Sequence, residues 1–371
     1  MRNILITGGA GFIGSHLCDE LLASGYTIRV LDNLNSQVHG EEGKWPEYLS
    51  KEVELIVGDV RERALVHKLV KEADAVFHFA SLVGVGQSMY KLGEYTDVNV
   101  HGTANLLEAI ISHPVQKLIV ASSMSIYGEG MYQGIYGEIV EGKERPLAKL
   151  KENNWELSDF NGNPLVPLPT QEEKSPSLAS VYALTKYDQE RLCLMIGSAY
   201  NIPTTALRFF NVYGTRQALS NPYTGVMAIF SSRLLNDKSP MIFEDGEQKR
   251  DFVHVSDVVK ACRLALETPE ASGEVFNIGS GKSYTIRELA ELLAETMGKP
   301  NIKPEITGDY RVGDIRHCFA DISKAKEILD FHPSVPIQEG MKELALWLEN
   351  QLAIDQVDKA SEELKSRGLT V

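Results

Sequence analysis

Cysteine is scarce: four among 371 residues, Cys18, Cys193, Cys262 and Cys318, with no paired spacing. This excludes a disulfide-stapled framework and a cysteine zinc site, and suits a reducing compartment. Long apolar runs are missing too; none approaches the ~18 residues of a membrane-spanning helix. Basic charge falls short, 37 Lys and Arg against 51 Asp and Glu, for a net charge of −14. A nucleic-acid protein would carry the opposite balance. An anionic small ligand stays admissible, because a few local donors suffice to hold it. With the first strand expected at Asn3, no basic-then-apolar export signal is read. The expectation is a cytoplasmic, enzyme-sized protein with no membrane or nucleic-acid partner.

What is present is a rhythm. Short apolar strands are expected over 3–7, 27–32, 53–57, 75–79, 117–122 and 204–208, with amphipathic helices over 14–23, 63–71, 99–112 and 180–200. Near-continuous apolar strands joined by helices predict an α/β protein with a doubly wound parallel sheet. Residues 130–176 break the pattern with Gly, Pro, Asn and charge. They read as an insertion over the site or a mobile loop. Beyond Asn211 the pattern turns irregular, with helices expected over 226–236, 256–267, 286–297 and 339–350. The division is therefore 1–212 for the first domain, 213–350 for a smaller lobe partly returning to the sheet, and 351–371 for a charged helical tail.

The first strand runs into Gly8-Gly9-Ala10-Gly11-Phe12-Ile13-Gly14 and then a helix. Gly8, Gly11 and Gly14 permit a tight turn, close approach of a pyrophosphate and close helix–strand packing. This is a Rossmann-type dinucleotide site in its proper context. Asp32 ends the second strand, where a carboxylate holds ribose hydroxyls and repels a 2′-phosphate, so NAD is favoured over NADP. Asp59, after strand three, is placed to meet the adenine.

Tyr182 and Lys186 stand one helical turn apart on one face. A phenol with a pKa near 10 is too weak a base at neutral pH unless nearby positive charge favours the phenolate. Lysine and an oxidised nicotinamide would both do so. Ser123 lies at the carboxyl end of the fifth strand, where such sheets bind ligands, and can bond the same substrate oxygen.

Together the glycine turn, Asp32, Asn99, Ser123 and Tyr182/Lys186 resemble the extended short-chain dehydrogenases/reductases, and more narrowly the NAD-dependent nucleotide-sugar epimerases and dehydratases. The resemblance spans residues 1 to about 350. It implies that Ser123 and Tyr182 contact the reacting sugar hydroxyl and that Lys186 holds the nicotinamide ribose. It implies a cofactor lining of Phe12, Ile13, Asn33, Asn35, Ser36, Val60, Phe79, Ala80, Ser81, Asn99 and Phe210. Ser125, Asn211 and Asn221 are implied on the sugar side, with Arg250 and Arg311 gripping the diphosphate and Asp314 meeting the nucleoside ribose. Arginine suits that task because its fork offers paired donors to phosphate oxygens. No metal is called for, and a homodimer through the helices over 99–112 and 180–200 is implied.

The implied chemistry is a transient 4-keto sugar, made and reduced again in one site. Dehydratases of this family carry Asp-Glu where Met124 and Ser125 stand, which speaks against dehydration. Segments 84–90, 219–225 and 313–318 most resemble the TDP-L-rhamnose 4-epimerases, giving TDP-6-deoxy-L-talose. Many of those carry cysteine pairs in the insertion; none is present here. UDP-glucose/UDP-galactose 4-epimerase is the alternative, followed by a sugar-nucleotide decarboxylase and, last, a non-catalytic dinucleotide sensor.

Overall fold

The computed structural model describes residues 1–40, 43–221, 223, 225–311, 313–351, 355 and 357–370. Seven parallel strands form the central sheet: β1 (Asn3–Thr7), β2 (Thr27–Asp32), β3 (Glu54–Val57), β4 (Ala75–His78), β5 (Lys117–Ser123), β6 (Thr204–Phe209) and β7 (Val275–Ile278). Their order across the sheet is β7-β6-β5-β4-β1-β2-β3. β1 pairs with both β2 and β4, Ile4 standing opposite Ile28 and Ala75. The winding therefore reverses at β1/β4, which opens a crevice at the carboxyl ends of these strands.

Among the described residues nine longer helices accompany the sheet: α1 (Phe12–Ala23), α2 (Arg63–Lys71), α3 (Gly102–Ser112), α4 (Val181–Tyr200), α5 (Val226–Leu235), α6 (Val255–Glu267), α7 (Ile286–Thr296), α8 (Ile337–Leu348) and α9 (Val357–Ser366). Alternate strand residues feed two cores. Ile4 and Ile6 pack with Leu17 and Leu21 of α1 and Val258 of α6, whereas Leu5 and Val76 pack with Leu69 of α2 and Leu106 of α3. Both faces are covered, so the strands can be apolar throughout. A third core joins α5, α7 and α8 through Phe230, Leu293 and Leu344.

Three features depart from the sequence reading. β7, an extra strand at the edge of the sheet beyond β6, was not anticipated, because four residues between helices carry little periodic signal. The helix expected from residue 99 begins instead as a wider turn, Thr96–His101, that flows into α3. The insertion is ordered: Met131–Gln133 lies between Ile139–Glu141 and Val166–Leu168 in an antiparallel sheet. It docks on the C-terminal lobe through ion pairs. Arg145 lies 2.6 Å from Glu244, and Arg316, whose side chain is 1% exposed, reaches Glu156, Glu244 and Asp245.

Candidate active site

The carboxyl ends of the strands open onto a cleft of ≈ 350 Å³. Gly8 takes φ +73°, and a Cβ there would sit 2.8 Å from the Ala80 nitrogen; at Gly14 it would sit 2.5 Å from the Gly8 carbonyl. Glycine at these two positions is required by the protein itself. Gly11 differs. A Cβ there would meet only the Gly8 oxygen, at 3.5 Å, and Gly11 caps α1 without any side-chain bond to the first helical amides. Among the described residues, no protein atom demands glycine at 11. A pyrophosphate laid against those amides does, and in this respect the residues fit NAD.

Asp32 is buried at the end of β2 and accepts hydrogen bonds from the Ala10 and Leu34 amides, both at 3.0 Å. Asn33 donates to Asp59 at 2.8 Å, and Asn35 caps the short turn that follows. Phe12, Ile13, Val60, Phe79, Ala80, Ser81 and Phe210 line the same cleft. Ser36 is exposed and lies outside this lining. Asn99 is also outside it, fully buried behind the wall, where it bonds both backbone groups of Leu82 and the Thr185 hydroxyl. It shapes the cleft from behind.

Ser123, the last residue of β5, and Tyr182 and Lys186 of α4 all face this cleft. Ser180 caps α4 by accepting from the Ala183 amide, and the Tyr182 amide donates to Ser88 Oγ at 3.0 Å, so the helix start is fixed. The Ser123 hydroxyl adjoins the Tyr182 phenol on this wall. Ser125 Oγ donates to Ser123 Oγ at 2.9 Å, which leaves the Ser123 proton for the phenol. Burial pushes the Tyr182 phenol up, and the Ser123 hydroxyl opposes that rise. This differs from the expectation that the neighbouring lysine lowers it: among protein groups the lowering contribution is the serine's.

Burial pulls the Lys186 ammonium down to about 7, against the opposing pull of Cys193 and Glu190. Its Nζ donates to Gln189 Oε1 at 2.7 Å. The Gln189 amide donates in turn to Thr103 Oγ1 at 3.0 Å and lies 3.2 Å from His78 Nε2. Burial lowers His78 to about 3, so it is a neutral hydrogen-bonding partner beneath the lysine. Sequence reasoning missed Gln189, since nothing in its spacing reveals partners on β4 and α3.

On the sugar side the picture is mixed. Asn211 Oδ1 is buried with no hydrogen-bond partner among the described residues. Asn221 lines the cleft, yet its carboxamide accepts from Gln37 at 2.9 Å and from the Tyr223 amide at 3.0 Å. Gln37 also bonds Gln87, so these three amides bridge the cleft mouth, another arrangement invisible in sequence. Arg250, Arg311 and Asp314 come together: Arg250 lies 3.8 Å and Arg311 3.5 Å from the Asp314 carboxylate. Burial pushes Asp314 up, but the two arginines prevail and hold its carboxyl below the usual range. None of the three lines the cleft. Arg250 commits its fork to the carbonyls of Ile315 and Arg316, whereas Arg311 is 39% exposed along its side chain and stacks on Phe243. Among the described residues, no cluster of His, Cys, Asp and Glu could hold a metal ion.

The model of the NAD dependent epimerase/dehydratase family matches residues 4–148 and 160–279, the break falling inside the insertion. The chain belongs to this family. It is 35% identical over 356 residues to the dTDP-L-rhamnose 4-epimerase of Burkholderia thailandensis, covering 95% of this chain and 96% of that one. A crystal structure of UDP-glucose 4-epimerase from Thermotoga maritima, with UDP-glucose, superposes with a TM-score of 0.76 at 33% identity, over 94% of this chain and 99% of that one. UDP-glucuronic acid 4-epimerase from Bacillus cereus, in complex with UDP-glucuronic acid and NAD, gives 0.77 at 29% identity, over 94% and 99%. The protein is thus an NAD-dependent nucleotide-sugar epimerase of Rossmann fold.

Proposed function

We propose that the enzyme is a TDP-L-rhamnose 4-epimerase that forms TDP-6-deoxy-L-talose through a 4-keto sugar. The observation that carries the chemistry is the gathering of Ser123, Tyr182 and Lys186 on one wall of the dinucleotide cleft. NAD, when bound, supplies the hydride acceptor and donor at C4. Gly8, Gly11 and Gly14 hold its pyrophosphate, Asp32 its ribose, and Lys186 its nicotinamide ribose. Tyr182 as phenolate takes the C4 hydroxyl proton and later returns it. Ser123 donates to the same oxygen, which stabilises the ketone. Asn211 offers its buried oxygen to the sugar nucleotide, and Arg311, the more exposed of the two arginines, is assigned to the diphosphate.

The choice of sugar rests on the near full-length similarity to the Burkholderia enzyme. A UDP-glucose 4-epimerase is the second reading, favoured by the likeness to the Thermotoga structure. Cytoplasmic location is part of the proposal, in keeping with four free, buried cysteines. So is a homodimer through α3 and α4, where Leu184, Met195 and Tyr200 of α4 stay exposed on the single chain. The test is a direct comparison of kcat/KM on TDP-L-rhamnose and UDP-glucose. A preference of about 100-fold or more for TDP-L-rhamnose is expected; the reverse preference would overturn the choice of sugar.

A further inference from the structure

We infer that α9 forms a wall of the substrate site and that Glu363 is a positioning residue for the sugar nucleotide. The inference rests on the reading of Asn221 and Arg311 as substrate ligands. Two loops flank the mouth of the cleft on its sugar side. One follows Val83 and carries Gln87 and Tyr90; the other carries Asn221 and Tyr223. They touch closely, for a Cβ on Gly84 would stand 3.0 Å from Tyr223 Cβ. The two phenols meet at 2.7 Å.

The tail closes this pair from outside. Tyr223 Oη donates to Glu363 at 3.1 Å. Arg367 donates to the same carboxylate at 3.0 Å and stacks its guanidinium 4.2 Å from the centre of the Tyr90 ring. Leu364 is buried against Gly86, where an added methyl would lie 3.2 Å from its Cδ2. Beyond the helix, Thr370 pairs with the backbone of Arg311. Lys365 adds an ion pair to Asp309 at 2.6 Å, two residues before that arginine.

A single short helix therefore ties the cofactor-domain loop to the lobe segment bearing Arg311 and Asp314. Each contact is modest, since surface ion pairs contribute little singly. Their number fixes the distance between the two sides of the sugar pocket, which is what positioning requires. Without Glu363, Tyr223 loses its carboxylate partner and Arg367 the anchor that holds it over Tyr90, and Asn221 and Arg311 are freed to move apart.

The experiment uses the full chain with its NAD and compares wild type, Glu363→Ala, Glu363→Gln and a deletion of 355–371. KM is measured for whichever of TDP-L-rhamnose and UDP-glucose the wild type turns over, with TDP and UDP affinity by calorimetry alongside. Glu363→Ala is expected to raise KM and weaken nucleotide binding about tenfold, with kcat and NAD content within about twofold. Glu363→Gln, which still accepts from Tyr223, restores most of the loss. The deletion loses more than Glu363→Ala. Unchanged KM and nucleotide affinity in Glu363→Ala and in the deletion overturns the proposal. A parallel fall of kcat, NAD content and affinity, which would mark general damage, also overturns it. An error in the assigned sugar shows in the wild type alone, whereas an error about the tail shows in the ratio of variant to wild type.

Discussion

Gly8 and Gly11 are the same residue type under opposite demands. Gly8 is fixed by its left-handed φ and the Ala80 backbone. Gly11 has an ordinary φ of −71° and room for a methyl. Gly11→Ala should therefore leave the thermal midpoint of the NAD-free protein within about 2 °C of wild type while lowering NAD affinity tenfold or more. Equal NAD content in mutant and wild type after gel filtration would show that nothing but the protein occupies that surface. Tyr182 yields a second expectation, from the sign of its contributions. Burial raises the phenol and the Ser123 hydroxyl opposes the rise, so Ser123→Ala removes the opposing contribution. The base must lose its proton to act, and the ascending limb of the kcat–pH profile should move to higher pH. A limb that stays in place or moves down would contradict the pairing. Glycines, serine, tyrosine and lysine were legible in the sequence because their chemistry is bound to local spacing. Gln189 and Gln37 were not, because each matters only through partners on distant strands and loops.

Elements were legible where a long apolar period supports them. The strand expectations over 3–7 and 27–32 and the helix over 63–71 coincide with β1, β2 and α2. The insertion was not, for its strands are three residues each and their order comes from charge held in place by tertiary contacts. Arg316 is central there, its guanidinium shared among Glu156, Glu244 and Asp245, with Glu244 2% exposed along its side chain. Removing one partner of a buried ionic group leaves the other uncompensated. Arg316→Ala should cost about 3–5 kcal/mol in chemical denaturation and loosen Trp155, which packs on Tyr310. A loss below about 1 kcal/mol would mean that the insertion is held by its apolar contacts instead. An ionic clasp thus holds the inserted segment to the C-terminal lobe.

At the scale of the molecule, the strand order places the dinucleotide turn after β1 beside the ends of β4 and β5, and so sets Gly11, Ala80 and Ser123 around one cleft. The C-terminal lobe and α9 then approach from the far side. The first half of this arrangement follows from handedness and alternating strands, and was readable. The docking of the tail was not, since its residues are charged and helix-prone, and their partners lie on loops far away in the chain. The central claim is that this cleft oxidises and re-reduces C4 of a 6-deoxy sugar nucleotide. It is tested most directly by proton NMR of TDP-L-rhamnose with the purified enzyme in deuterated buffer, without added reductant. The account predicts that the large H3–H4 coupling gives way to a small one at a constant final ratio, with the C4 hydrogen retained. An unchanged spectrum from NAD-bearing protein, or deuterium entering C4, would contradict it.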